Sequence, residues 1–212
     1  MYTPKSHEET RVDVMHELVR AHPLATWTVL GDGELLTNHL PFGLDPSRGE
    51  FGTLVGHVAH SNPVWQAPPT DVLSVVAFQG PQSYITPSWY PSKHEHGKAV
   101  PTWNYAVVHA CGVPTFIENR DWLYAHINSL TNEHESGQAL PWAVADAPPD
   151  FTERLLTMIV GVEIPIQRLT GKWKTSQNRL ESDKLGVVAG LMSKGNTQSK
   201  AMASLVRRHT AQ

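Results

Sequence analysis

A single cysteine, Cys111, stands among 212 residues, so no internal disulfide can brace the fold. With apolar Val108, Ala110 and Val113 beside it, that thiol is expected to be a buried core group rather than a nucleophile. No apolar run approaches the roughly 18 residues of a membrane-spanning helix. The opening MYTPKSHEET lacks the apolar stretch of a signal peptide, so a cytoplasmic protein with no membrane partner is expected. Charge is scarce as well, at 17% Asp, Glu, Lys and Arg, while 16 prolines and 15 glycines supply turns. That balance suits an α+β fold that is mainly β with peripheral helices.

Several chemical signatures are also missing. There is no GxGxxG and no Walker loop to cradle a phosphate, and no GxSxG to present a nucleophile. Twelve histidines invite a metal, but only His94-x-His96 beside Glu95 has suggestive spacing, and no HExxH, second cluster or cysteine pair supports it. No metal site is expected, and no residue is marked as acid, base or nucleophile, which leaves catalytic residues unassigned.

What charge there is divides unevenly. Residues 1–167 hold 8 Lys and Arg against 18 Asp and Glu, a balance of −10, and residues 168–212 hold 9 against 2, a balance of +7; together they give −3. A basic tail on an acidic body points to a phosphate, a nucleic acid or the acidic body itself as its partner.

The chain turns around residues 80–112. Two β-prone runs, 82–90 and 99–110, flank the polar loop PSKHEHGK and read as a hairpin. They carry Tyr84, Thr86, Ser88, Trp89, Tyr90, Thr102, Trp103, Asn104 and Tyr105, flat rings interspersed with hydrogen-bonding groups that suit a flat polar ligand; ordinary sheet aromatics are the alternative. Before this hairpin, Ser6 and Glu9 have capping-box spacing ahead of a short amphipathic helix ending near Pro23. Runs 24–30 and 34–42 form a hairpin about Gly31-Asp32-Gly33. The run 49–59 is a strand with Gly56 allowing close backbone approach, and His57, His60, Ser61 and Asn62 follow as donors to an anion. Ser61-Asn62-Pro63 also starts a short helix, and residues 71–78 read as a separate central strand.

Beyond the hairpin, Asn119 or Asp121 caps a helix through Trp122, Leu123, Ile127 and Leu130. Residues 151–159 read as helix, 160–169 as the last strand, and 171–179 as a compact basic, amide-rich element. Helices over 182–193, stopped by Gly195, and 197–209 close the chain. One domain, 1–212, is expected, with 175–212 as a basic C-terminal helical extension.

These pieces together resemble the PaiB family of FMN-binding negative transcriptional regulators. The likeness is carried by Met1-Tyr2-x-Pro4, by TNHLPF at 37–42, by Gly56-His57-Val58-Ala59 with Asn62-Pro63, and by Tyr84-Ile85-x-Pro87-Ser88-Trp89-Tyr90. Val100-Pro101-Thr102-Trp103-Asn104-Tyr105 with Val108-His109, and Gly171-Lys172 with Ser176-Gln177-Asn178-Arg179, complete it. One position departs: His60 stands where the family pattern carries Arg or Lys, which weakens a phosphate contact near neutral pH.

The resemblance implies the split β-barrel of pyridoxamine phosphate oxidase-like flavoproteins, FMN as cofactor, and a homodimer with FMN at the subunit interface. On that basis Asn38, His39, Gly56, His57 and Asn62 hold the phosphate and ribityl chain. Tyr84, Ser88, Trp89, Trp103 and Asn104 face the isoalloxazine, and Lys172, Lys174, Ser176 and Gln177 close the site. The role implied is negative transcriptional regulation, with DNA contact through Lys184, Lys194, Lys200, Arg207 and Arg208 on the C-terminal helices as one route. A flavin- or haem-dependent oxidoreductase is the competing function.

Overall fold

The computed structural model describes residues 1–31, 33–66 and 72–208. Asp32 at the first hairpin turn, Asp71 at the head of the apolar run, His209 and the His96 side chain lie outside the described residues.

In chain order, a single 3-10 turn at Lys5–His7 leads to β1 (Glu8–Glu9) and α1 (Val12–Ala21). The expected capping box is absent, because the Glu9 carboxylate instead accepts from the Arg11 backbone and guanidinium N–H groups at 3.0, 2.9 and 2.7 Å and holds residues 8–9 extended. The hairpin follows as β2 (Leu24–Gly31) and β3 (Glu34–Pro41), then β4 (Gly43–Asp45) and β5 (Thr53–Ala59). A 3-10 turn, Pro63–Trp65, follows Asn62 as expected, and the Asn62 side chain caps it.

Next comes β6 (Ser74–Ile85), which corrects the expected division at Gly80-Pro81. The strand runs straight through because a side chain at Gly80 would meet Leu18 Cδ1 at 2.8 Å and the Ala106 carbonyl at 3.2 Å; glycine is what lets the neighbours close up. It also ends earlier than residue 90. Thr86 accepts the Ser88 N–H and Pro87 opens a 3-10 turn, Pro87–Trp89. The polar loop is a helix, α2 (Ser92–His96), stopped by left-handed Gly97.

The chain continues through β7 (Thr102–Gly112), β8 (Thr115–Ile117), α3 (Arg120–Glu135) capped by Asn119, and α4 (Pro149–Leu156). The expected last strand is two, β9 (Ile159–Pro165) and β10 (Arg168–Lys174), so the Gly171-Lys172-Trp173-Lys174 run is itself sheet. Helices α5 (Glu181–Lys194), stopped by Gly195, and α6 (Thr197–Arg208) fall where expected.

The elements form two compact units. The first, Met1–Ala21, Phe78–His109 and Thr170–Gln212, has ladder order β1-β10-β7-β6, with Glu8 paired to Lys172 and Glu9 to Gly171. Its core joins Ile85 and Tyr90 to Val187, Leu191, Met202, Ala203 and Val206 of α5 and α6. Each fully buried aliphatic side chain there contributes about 1.5–3 kcal/mol. Gly186 and Gly190 sit one helical turn apart on α5. A Cβ on Gly190 would lie 2.2 Å from the Trp89 ring, so the glycine leaves the groove into which that ring fits.

The second unit, His22–Ala77 and Ala110–Leu169, contains ladder order β6-β2-β3 and an antiparallel sheet β4-β5-β9-β8. The burial of β2 alternates strictly, placing Ala25, Trp27 and Val29 inward. Trp27 meets Phe42 edge to face at 6.3 Å. Cys111 is buried, as expected, and α3 approaches β9 so closely that a Cβ on Gly161 would lie 2.2 Å from the Trp122 ring.

Candidate functional site

In the second unit, Asn38 on β3 and Asn62 after β5 meet. Asn62 Nδ2 donates to Asn38 Oδ1 at 2.7 Å, while Asn62 Oδ1 accepts the Val64 N–H at 3.0 Å. Asn62 is thus held from both ends. The Asn38 amide nitrogen has no hydrogen bond among the described residues, and the pair lines a cavity of about 430 Å³ with Thr37 and Ser61. Neutral amides and hydroxyls of this kind can bind a hydroxylated chain or a phosphate without introducing a competing charge.

The other expected residues of this unit are turned elsewhere. His39 follows Asn38 on a strand, so the two side chains point to opposite faces, and His39 is exposed. The space beside Gly56 is filled by Phe42, whose ring would lie 3.1 Å from an added Cβ. His57 is hydrogen-bonded through Nδ1 to Nε2 of His126 on α3, at 3.0 Å. Burial lowers the pKa of both rings; that of His126 falls from the ordinary 6.5 to about 4, first by burial and then by the neighbouring His57. His126 also stacks on Trp122 at 5.2 Å, and the Trp122 indole N–H donates to Glu163, itself bridged to Arg48. Sequence reasoning missed His126: it sits one helical turn after Trp122 on α3, and only the tertiary fold brings it to His57.

In the first unit, β7 sends Asn104 inward and Trp103 outward, as strand alternation requires. Asn104, 1% exposed, donates to Ser176 Oγ at 2.8 Å. Ser176 is the one non-glycine among the described residues with a positive φ, 64°, and such a conformation costs energy that the surroundings must supply. Gln177 is absorbed by the same turn: its Oε1 accepts the Thr175 N–H at 2.7 Å and its Nε2 donates to the Trp173 carbonyl. Lys174 Nζ donates to Thr102 Oγ1, and Lys172 Nζ lies 5.4 Å from the Tyr105 ring centre and 3.1 Å from the Tyr2 carbonyl.

Trp103, 53% exposed, meets Tyr84 at 6.1 Å, tilted by 72°. Ser88 is exposed, its backbone N–H bonded to Thr86. Trp89 packs on α5, with Lys194 Nζ 5.0 Å over its ring and 6.0 Å over that of Tyr84. Lys194 also donates to the Tyr84 carbonyl at 3.1 Å. That lysine belongs with the aromatic residues, and the signal was present in the sequence: Gly186, Gly190 and Lys194 recur every four residues, a helix face shaped for close approach. The structure therefore leaves two sets of expected residues, one in each unit.

Each set is of a kind that a flavin uses: the second unit offers neutral amides and hydroxyls of the sort that suit a ribityl chain, and the first offers outward rings and lysines of the sort that suit an aromatic ring system and a phosphate. Among the described residues no group of three or more His, Cys, Asp and Glu could hold a metal ion, and no helix is long and apolar enough to cross a membrane. The antiparallel ladders of the two units, with these residue types, suit a flavoprotein of the split-barrel class. Residues 1–168 match the family described as "Putative FMN-binding domain"; the chain belongs to that family, and its cofactor is a flavin.

Similar proteins agree. The chain is 31% identical over 206 residues to the Bacillus subtilis protein named protease synthase and sporulation protein PAI 2, covering 97% of this chain and 96% of that one. It is 32% identical over 242 residues to a protein of Emericella nidulans, covering 98% and 96%. The FAD and haem binding protein from Mycobacterium smegmatis shares the fold, with a TM-score of 0.59 at 18% identity over 79% of this chain and 73% of that one. The resemblance to the PaiB family read from the motifs thus holds along nearly the whole chain.

Proposed function

We propose that the protein is a flavin-loaded, homodimeric regulator of transcription acting in the cytoplasm. The observation that carries the reading is the likeness to the Bacillus sporulation protein, which extends along nearly all of both chains. When bound, the flavin supplies reversible electron transfer. Asn38 and Asn62 bind its ribityl hydroxyls and phosphate. The second copy in the dimer supplies the aromatic set: Trp103 and Tyr84 against the ring, Asn104 and Ser176 holding that wall in place, and Lys174 neutralising phosphate charge. Lys172 and Gln177 support the wall through their contacts with Tyr105 and the 173–177 turn.

Regulation by direct DNA contact through the C-terminal helices has less support. Lys194 lies over Tyr84 and Trp89, Arg179 lies 4.7 Å over Tyr90, and Lys184 Nζ is 3.5 Å from Glu181. These three cations are engaged within their own unit by aromatic rings and one carboxylate.

A mixed-dimer experiment tests the site. Asn38→Ala and Trp103→Ala homodimers should each bind flavin more weakly at both sites, whereas a heterodimer of the two variants regains one site of parental affinity per dimer beside one doubly weakened site. A heterodimer whose two sites both bind as weakly as those of its parents overturns the shared site. The regulatory role is checked by transcript profiles of a strain lacking the protein against one restored with it; identical profiles overturn that role, and a salt-insensitive absence of promoter binding removes the DNA route.

A further inference from the structure

The first residues of the chain lie on the outer face of the first unit's sheet. Lys172 Nζ donates to the Tyr2 carbonyl at 3.1 Å and sits 5.8 Å from the Tyr2 ring centre, on the face that also carries Tyr105. The Met1 ammonium is near enough to His109 on β7 to act on it: the pKa of that ring is lowered first by burial and then by this charge. Residues 1–7 run on into β1, which pairs with β10 at Glu8 and Lys172. Packing does little to hold them there, since the Tyr2 side chain is 84% exposed.

Two features make this covering segment displaceable. The first is that it shuts polar atoms away unmatched. Thr3 Oγ1 and His7 Nδ1 are buried with no hydrogen-bond partner, two of the four such side-chain atoms among the described residues. His7 is beside both lysines of β10: burial first, and then the Lys172 and Lys174 ammonium groups, hold its pKa below the ordinary 6.5. Buried polar groups without partners disfavour the closed arrangement, and opening returns both to water.

The second feature is that the lysines keep their charge. Lys172 has a neutral carbonyl and two rings as neighbours, and Lys174 donates to the Thr102 hydroxyl. Neither forms an ion pair among the described residues, although Glu8 is the cross-strand neighbour of Lys172. A carbonyl satisfies an ammonium N–H and leaves the charge standing; a phosphate oxygen answers both.

We propose that Met1–His7 is a displaceable strap: Lys172 holds the Tyr2 carbonyl until it turns, with Lys174, to the phosphate of a bound FMN, and the segment then leaves the sheet. The inference rests on the reading that these lysines meet the flavin phosphate. The strap is a competitor built into the chain, because apparent affinity scales with the fraction of protein in the open, competent state. Flavin occupancy becomes legible at the surface as a freed chain end.

The experiment takes the full-length protein, stripped of flavin and then supplied with FMN, riboflavin or inorganic phosphate, and follows release of Met1 and Tyr2 by an aminopeptidase in a mass spectrometer. FMN should speed release of Tyr2 at least about tenfold, while riboflavin and equimolar inorganic phosphate leave it at the flavin-free rate. Tyr2→Ala removes the ring beside Lys172, so it should loosen the strap and strengthen FMN binding about twofold to fivefold. Thr3→Val replaces the unpartnered hydroxyl by a methyl, so it should tighten the strap and weaken FMN binding at least about threefold. Riboflavin affinity should stay at the parental value in both variants. If FMN and riboflavin bind the parent alike, the lysines do not meet the phosphate, and the reading beneath the proposal fails with it. If FMN is preferred but Tyr2 release is unchanged, or the two variants fail to move FMN affinity in opposite directions, the strap alone is overturned. Equal action by inorganic phosphate would overturn the coupling to flavin.

Discussion

Asn104 Nδ2 lies 2.8 Å from Ser176 Oγ, and the two side chains, 72 positions apart, are 1% and 5% exposed. This one bond ties the start of β7 to the turn after β10 at the only described non-glycine residue in a left-handed conformation. A strained turn persists when its partners over-determine it, and here the partner is a buried amide with few alternatives.

Removing that amide should therefore be costly. Asn104→Ala leaves Ser176 Oγ buried without its donor, which typically costs about 1–3 kcal/mol. Ser176→Gly loses the same bond but relieves the backbone, since glycine adopts positive φ freely, so it should cost less. Urea unfolding of both single variants and the double variant checks this; strictly additive losses would mean the bond contributes nothing.

Trp103 offers the contrast on the adjacent position. It is 53% exposed and its identified ring partner is Tyr84, so Trp103→Ala should cost the fold about 1 kcal/mol or less. FMN affinity should fall about threefold to tenfold, the effect of losing one aromatic contact. Thermal unfolding of the apoprotein and fluorescence titration with FMN separate the two effects. A lower melting temperature with unchanged FMN affinity would make Trp103 a packing residue.

Gly190→Ala pits two effects against each other. Alanine gains about 1 kcal/mol in helix propensity, but its Cβ would sit 2.2 Å from the Trp89 ring. Overpacking of this kind costs about 1–3 kcal/mol, and the obstacle is a broad ring rather than a flexible chain end. Net destabilisation is expected, with a shift in tryptophan emission. Gly137→Ala, where an added Cβ meets nothing within 4 Å, is the control and should leave the unfolding midpoint within error.

Acid should weaken the second unit through the histidine pair. Burial holds the His57 and His126 rings below their ordinary value, His126 at about 4. Below pH 6.5 the unfolded chain takes protons that the folded rings refuse, so stability falls as pH drops from about 6.5 toward 4 and this contribution levels off below. His126→Gln should flatten that part of the curve in urea unfolding measured between pH 7 and 4.5. A slope equal to that of the parent would assign the acid sensitivity to other groups.

Much of this arrangement was legible beforehand. The turn-flanked hairpin of β2 and β3, the Asn119 cap of α3 and the Gly195 stop of α5 follow from local chemistry, which neighbours in sequence decide. The errors arose where a particular side-chain contact, near or distant in sequence, overrides the local pattern. Gly80-Pro81 reads as a break until Leu18 and Ala106 are seen to crowd it, and Glu9 reads as a helix cap until Arg11 takes both its oxygens. In the candidate site, Asn38 with Asn62 and Asn104 with Ser176 were each named from motifs, but their pairing was not. His126 was invisible as a site residue because its partner comes from another element, and Lys194 was named for DNA contact although its helical spacing with Gly186 and Gly190 pointed to the aromatic residues.

The family match stops at residue 168, which is the first residue of β10. A cut there would sever a strand at its start and remove the pairing of Glu8 with Lys172 together with the whole of α5 and α6. Ile85 and Tyr90, now 0% and 1% exposed, would lose their apolar cover, and Trp89 would lose the groove that receives it. Expression of residues 1–168 alone should accordingly yield sticky, aggregating material, and limited proteolysis of the intact chain should spare residues 168–194. The cooperative unit of folding outruns the boundary that shared sequence draws.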